Sequence, residues 1–578
     1  MKNLNFGSVE GRQKTLLYFL LALLFVVYLA GLFIDVTRDA AKYAYIPKEM
    51  IQNHQWINLK ILGEPYNQKP HFMFWLSAIS YLVFGASNFS FKLPILLYSL
   101  LGLYFTYKLG ERIYSKKVGV LASIMVAFSI IFILYNQDLH TDTILFTSSA
   151  FALWQLYEYL TNQRWRNLIL SGVALGLCLL SKGPFGVIVP FLAVMGYLIA
   201  QRKWQQMFRI HWLYLILIAF TFALPVFYQM YINWGLKGIS FFFFGNTMGR
   251  FTGSYLGHTP DPSFYIHNTV YLFLPWSIVF FFALIKNTSK AYHKQFGPAE
   301  HYLFWGFVTF FVLMSVSTSK LPNYLMSALP VMAVMTSYAW LKIMPLSKSV
   351  IKIQNGVNYI LWVLVMVILF YFSKNGTYWK VALLIIIFFS SYYFTKSFSV
   401  LDRLLYRALT GIVVTGLALN LIALPVIFGY QSQPRVAAFL NKQHLANPAV
   451  FNYQKAQNIH LKRLWENPDS TMIKQFNQTP NEKHFSYNYE LMFYSNYPVK
   501  HVETETELKK ALSNNDAWFF TDGEGKNEIE KQAKQIDTVI TYEHFSLKRT
   551  AKLFTSSNES SPFVERYLIK TQPAHSLK

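Results

Sequence analysis

The run SGVALGLCLLSKGPFGVIVPFLAVMGYLIA, residues 171–200, holds a single charged residue, Lys182, followed at once by Gly183 and Pro184. Apolar stretches at 168–181 and 184–200 flank it, each near the roughly 17–25 residues that a membrane helix needs. Gly-Pro marks a turn, so the reading is two spans folded back on each other with Lys182 in a short hairpin. Comparable apolar stretches lie at 16–34, 91–107, 118–135, 143–160, 212–232, 268–285, 301–316, 324–341, 358–373, 379–395 and 408–428. The expected fold is a polytopic α-helical membrane protein of about 13 transmembrane helices. The first span, after Arg12 and Lys14, is longer than a signal-peptide core and lacks a small-residue cleavage pattern, so it is read as an uncleaved helix.

Composition agrees. Of 578 residues, 53% are apolar, 18% aromatic and only 14% charged, where soluble chains carry about 25% charged residues. Disorder, coiled coil and collagen-like structure are excluded. The only cysteine, Cys178, lies in an apolar run, so no disulfide forms within the chain. The net charge of +24 does not point to nucleic acid. Residues 1–429 hold 33 Lys and Arg against 12 Asp and Glu, and the excess lies between apolar spans, where it sets orientation. The basic loops around Arg12, Arg112, Arg164, Arg202, Lys290, Lys348 and Arg403 are read as cytoplasmic. The N-terminus is then cytoplasmic, and the tail from Gly429 is periplasmic. That tail, 430–578, mixes both charges, with β-favouring runs (AWFFTD, DTVITY) and a helical stretch (ETELKKALSNN). It reads as a soluble α/β domain of ordinary size.

The scarce acids mark where chemistry can occur, because ionisable groups at a membrane boundary are costly. Seven of the twelve fall on the outward side: Asp35, Asp39, Glu49, Glu64, Asp138, Asp142 and Asp261. If residues 35–49 are helical, Asp35, Asp39 and Tyr43 share a face with Lys42 beside Asp39. A carboxylate there can take a proton from an incoming hydroxyl, or serve only as a cap in an ion pair. Asp138, His140 and Asp142 offer a weak divalent-metal pattern, and Asp142 equally suits capping of the next helix. No metal or other cofactor is expected to be required, with a divalent ion near these three residues as the alternative. Outward loops also carry Tyr66 and Lys69, Lys182, Arg250 with His258, and Lys320 with Tyr324. Lysine binds phosphate as a point charge and arginine as a fork. By topology Lys69, Lys182, Arg250 and Lys320 converge on one face, the pattern of a site for an anionic substrate.

The stretches DAAKYAYIPKEM, YNQKPHFMFWLSAISYLVFGASNFSFKLP, LSKGPFGVIVP and SKLPNYLMSALP occur in this order. Together they resemble the GT-C glycosyltransferases, and most of all the bacterial aminoarabinose–lipid A transferase family, related to protein O-mannosyltransferases. The likeness runs over roughly residues 15–340. It implies a GT-C membrane domain, 1–429, with outward loops 35–90 and 233–267 forming the site, and an extracytoplasmic domain, 430–578. It further implies inverting transfer of a sugar from a polyprenyl (undecaprenyl) phosphate to an acceptor such as lipid A at the outer face of the inner membrane. By motif position, Asp39 matches the catalytic aspartate of the first loop and Asp142 a second outward aspartate. Lys69 and Arg250 match the residues that hold the carrier phosphate, and Tyr324 the tyrosine of the Lys-Leu-Pro-x-Tyr motif. The chain departs from the family at Ala40, where a glutamate is usual, at Lys42 for arginine, and at Gln68, where an acid is common. Transfer to protein or another envelope glycan is the alternative. A transporter is the rival from another class, disfavoured because the ionisable groups lie at one boundary and no internal repeat is present.

Overall fold

The computed structural model describes residues 9–36, 38–245, 261–344, 347–373, 378–443, 445, 448–455, 487–514, 516–533, 535–545 and 563–572. The chain divides into two compact units, Met1–Ile34 with Met50–Ala423, and Asp35–Glu49 with Leu424–Lys578.

In the first unit, helices occupy all thirteen of the expected spans. Among the described residues, nine stretches are long and apolar enough to cross a membrane. They cover ten of the thirteen spans, since Trp165–Ala200 runs through two of them. The other three differ for physical reasons. Two are broken, into Lys116–Ala127 with Ile130–Tyr135 and Phe264–Leu272 with Ser277–Tyr292. The third, Thr141–Asn162, is buried along most of its length and carries Ser148, Ser149 and Gln155 inside. Its surroundings are protein, so it needs no apolar exterior. Phe72–Phe84 is a shorter apolar helix of 13 residues.

Two glycines set the helix packing that matters most for the site. Gly172 and Gly176, one turn apart on Trp165–Lys182, lie against the helix His211–Ser240. A Cβ on Gly172 would meet the Cβ of Ile218 at 2.8 Å, and one on Gly176 would meet that of Phe222 at 2.6 Å. This is the small-xxx-small contact that lets membrane helices approach without a side chain between them. Buried polar groups inside the unit often bond to backbone carbonyls, as Thr106, Ser129 and Ser149 do, which an apolar surrounding favours. Lys92, fully buried, donates to the carbonyls of Gly31 (3.2 Å) and Ile34 (2.6 Å) at the end of the first helix.

Two short strands of the first unit, β1 (Lys60–Ile61) and β2 (Glu64–Pro65), pair antiparallel. The second unit is built on five strands, β3 (Ala449–Tyr453), β4 (Val499–His501), β5 (Ala517–Thr521), β6 (Gln535–Phe545) and β7 (Phe563–Gln572), in the sheet order β4-β3-β5-β7-β6. The first three run parallel, and β7 is antiparallel to both β5 and β6. The run AWFFT is β5, buried at every position, while DTVITY lies in the alternating edge strand β6. A residue-by-residue alternation suits an edge with one wet face, and a continuous apolar run suits a strand covered on both.

The helix Arg38–Gln52 lies largely in this unit. The Lys48 ammonium donates to the carbonyls of Met492 (3.2 Å), Phe493 (3.2 Å) and Ser495 (2.7 Å), at the C-terminal end of the helix Tyr489–Tyr494. A cation there answers the unsatisfied carbonyls and the negative end of the helix dipole. Asp35 lies outside the helix and accepts from the Tyr494 hydroxyl at 3.3 Å. The expected shared face of Asp35, Asp39 and Tyr43 is therefore corrected: the helix begins too late to include Asp35.

Replacing Gly176 with leucine should force the two helices apart. Overpacking of this kind costs about 1–3 kcal/mol, so Gly176→Leu should melt at a lower temperature in detergent, with Gly176→Ala in between. An unchanged melting temperature for the leucine variant would contradict the close helix approach.

Candidate functional site

Lys182 is the last residue of its helix, and Gly183 turns the chain with φ +64° into a short 3-10 segment, Gly183–Val187. Only glycine adopts that conformation readily. A side chain there would also press on the Phe242 ring, at 3.1 Å. The turn leaves the Lys182 ammonium buried, hydrogen-bonded to one oxygen of Asp142. The other Asp142 oxygen accepts from the Asn323 amide at 2.7 Å. The ammonium also lies 3.9 Å from the centre of the Tyr324 ring and 4.5 Å from that of Phe185, and the two rings stand 5.0 Å apart. A buried ion pair thus has its remaining valences answered by an amide and by aromatic faces, the condition for tolerating it.

Of the readings open for Asp142, helix capping is the one the structure sets aside: His140 holds the N-cap position without a side-chain capping bond, and the Asp142 carboxylate turns inward to Lys182 and Asn323. Asp138 and His140 contact each other at 3.3 Å. Among the described residues, no three His, Cys, Asp or Glu side chains gather as a metal group.

Lys182 also lines a cleft with Lys69, Asn67, His71, Phe185 and Gln229. Its enclosed part is about 20 Å³, room for roughly one water, so a larger ligand head must sit at the mouth. The segment carrying Lys69 is fastened from below. Gln229, buried on His211–Ser240, donates to the backbone carbonyls of Leu59 (3.2 Å) and Tyr66 (2.5 Å). Tyr66 is itself buried, its ring edge-on to Phe74 at 5.8 Å. With Lys69, Lys182 and Asp142 together, the local balance favours an anion.

His71 was not singled out from sequence, although it stands two residues from Lys69. It is fully buried, and its Nε2 lies 2.6 Å from the Ile57 carbonyl. A carbonyl only accepts, so Nε2 carries the hydrogen and Nδ1 presents a bare lone pair. Among the described residues Nδ1 has no hydrogen-bond partner. Burial pushes the His71 pKa down to about 4, with the Ile57 bond opposing. The ring is thus a neutral acceptor in the lining that it shares with Lys69 and Lys182. Asn323 was likewise missed; its only signal was its place inside KLPNY.

The expected convergence of four cations holds for two of them. Lys69 and Lys182 share the cleft. Lys320 is buried but donates to the Asp261 carbonyl at 2.9 Å and is not among the residues lining it. Arg250 and His258 lie outside the described residues. In the second unit, the Asp39 carboxylate is 62% exposed and stands 3.9 Å from the buried Lys42 ammonium. Burial holds Lys42 below the usual lysine pKa, opposed by Asp39.

Two outcomes follow from this geometry. Removing one partner of a buried pair costs about 3–5 kcal/mol, because it strands the other charge. Asp142→Ala should therefore lower thermal stability sharply, and Asp142→Ala with Lys182→Met should recover most of the loss; additive losses would contradict the pairing. His71 gives a pH signature. Its folded pKa is depressed, so its contribution is complete above the unfolded value of about 6.5 and is lost as pH falls toward 4. Between pH 7 and 5 the wild type should lose about 2 kcal/mol through this group. His71→Gln should lose correspondingly less over the same interval in detergent melts.

Residues 68–229 match the family model described as dolichyl-phosphate-mannose-protein mannosyltransferase. An undecaprenyl phosphate-alpha-4-amino-4-deoxy-L-arabinose arabinosyl transferase of Pseudomonas aeruginosa is 26% identical over 327 residues, covering 55% of this chain and 58% of the relative. A second transferase with that description, from Pseudomonas fluorescens, is 28% identical over 351 residues, covering 58% and 57%. The chain thus spans little more than half the length of these curated relatives. Among solved structures, ArnT from Cupriavidus metallidurans bound to undecaprenyl phosphate superposes with a TM-score of 0.71, at 16% identity, over 96% of this chain and 97% of that one. With the ordered motifs of the membrane unit, these likenesses identify the chain as a multi-pass membrane protein that has the GT-C fold and resembles ArnT.

Proposed function

We propose that this protein is an inverting glycosyltransferase that moves a sugar from an undecaprenyl-type phosphate carrier to lipid A at the outer face of the inner membrane. The observation that carries the reading is the cleft that Lys69 and Lys182 line together, with the Asp142 carboxylate bonded to Lys182. Its company is the fold likeness to a protein solved with undecaprenyl phosphate and the sequence likeness to arabinosyl transferases.

The chemistry asks for little else. Attack of the acceptor oxygen on the anomeric carbon breaks the bond to the carrier phosphate, which leaves with both electrons. Cations fixed where that charge develops lower the barrier. Lys69 is assigned this task, with Arg250 as second cation by motif position. Lys182 is tied to Asp142 and adds a fixed positive field at the cleft wall. Single displacement from the far side inverts the anomeric configuration. Asp39, the exposed carboxylate in the first turn of Arg38–Gln52, is assigned to the acceptor: it takes the proton of a hydroxyl or orients an acceptor phosphate. Tyr324 and Phe185 shield the Lys182 ammonium from water and keep its field strong. No step calls for a metal, so transfer should survive a chelator.

The test is purified protein with a labelled polyprenyl-phosphate sugar and envelope lipids. A charge-assisted contact contributes roughly 1.5–3 kcal/mol, so Lys69→Ala should weaken polyprenyl phosphate binding by about tenfold or more. Asp39→Asn should leave that binding intact and slow turnover. Product on lipid A establishes the acceptor; product only on protein or another glycan replaces it. Unchanged carrier affinity in Lys69→Ala would remove the phosphate site from this cleft.

A further inference from the structure

Away from the cleft, the first helix, Val9–Gly31, and the helix Tyr378–Phe394 with its following turn border a second and much larger cavity, of about 740 Å³. That is within the range of roughly 300–1,000 Å³ of small-molecule sites. Leu16, Phe19, Ile387 and Phe394 form apolar walls, and Arg12 and Lys396 are its charged residues. No acid lines it. Arg12 to Leu20 is eight residues of helix, about 12 Å of wall. The cavity is therefore cationic at one end and greasy along its length.

We infer that this cavity is a binding site for an anionic phospholipid, its phosphate held by Arg12 and Lys396 and one acyl chain lying along Leu16, Phe19 and Ile387. A soluble anion would gain nothing from the apolar walls, and a zwitterionic lipid would bring its own cation toward two others. Arginine supplies a fork of donors to phosphate oxygens, and lysine a mobile point charge. Both residues belong to the basic loops that the charge pattern assigns to the cytoplasmic side, where anionic headgroups give the leaflet its negative potential. The site is separate from the Lys69 and Lys182 cleft, shares no lining residue with it, and does not depend on the proposed reaction.

The test is native mass spectrometry of the full chain in nonionic detergent, titrated with dioleoyl phosphatidylglycerol, dioleoyl phosphatidylcholine, inorganic phosphate or undecaprenyl phosphate. Each basic residue near an anionic surface contributes about fivefold, so phosphatidylglycerol should bind about thirty-fold more tightly than phosphatidylcholine. Arg12→Gln with Lys396→Gln should bring that preference close to one. Ser390→Trp, which fills the cavity and leaves both charges, should weaken phosphatidylglycerol binding. Melting curves in lipid-free detergent identify the folded variants, and Arg12→Lys with Lys396→Arg should retain the preference. Equal affinity for the two phospholipids would overturn the proposal, as would a preference that survives loss of both charges. Phosphate binding as tightly as the lipid, or undecaprenyl phosphate displacing phosphatidylglycerol at equal concentration, would also overturn it.

Discussion

Lys182 and Asp142 are both almost wholly buried, and a charge in such surroundings costs several kcal/mol unless another group answers it. The ammonium and carboxylate answer each other, Asn323 takes the second carboxylate oxygen, and two aromatic faces cover the lysine. Three segments far apart in sequence are thereby held in one arrangement: the turn after 182, the first turn of the helix Thr141–Asn162, and the 3-10 segment Pro322–Ala328. None can shift without stranding a charge. The cleft next to them inherits that rigidity, and a cation fixed in place before the reaction spends no energy on reorganising during it.

The rest of the membrane unit brings a second lysine to the same place. Gly172 and Gly176 let His211–Ser240 lie directly on the helix that ends in Lys182. Gln229, further along His211–Ser240, then reaches the carbonyls of Leu59 and Tyr66 and holds the segment that leads to Lys69. Where lipid is the solvent, a loop can be irregular only if protein meets its backbone groups, and Gln229 does that here. His71 is fixed by the same logic, through the Ile57 carbonyl and the ring of Trp75 at 5.2 Å.

The second unit shows how a membrane chain builds an ordinary sheet domain and still draws on its N-terminal loop. Tyr494 links to Asp35 and to the amide of Val36, and Lys48 closes the end of a short helix. Burial brings the Lys48 pKa down to about 8. Its partners are carbonyls more than 440 residues away along the chain. Backbone acceptors leave no trace in residue identity.

The local pattern alone determined the helices, the multi-pass membrane character and the sheet-forming tail, since apolar length and alternation are properties of neighbouring residues and the solvent that must cover them. Scarcity of acids also made Asp142 legible as a candidate, and isolation between two apolar stretches did the same for Lys182. Their pairing was not legible: capping and ion pairing ask for the same residue at the same helix position, and only the approach of Lys182 and Asn323 chooses between them. Nor could topology alone separate Lys69 from Lys320, which face the same side by span count. Tertiary structure sends one into the cleft and the other to the Asp261 carbonyl, because a side chain's partner is set by packing across the bundle and not by its distance along the chain.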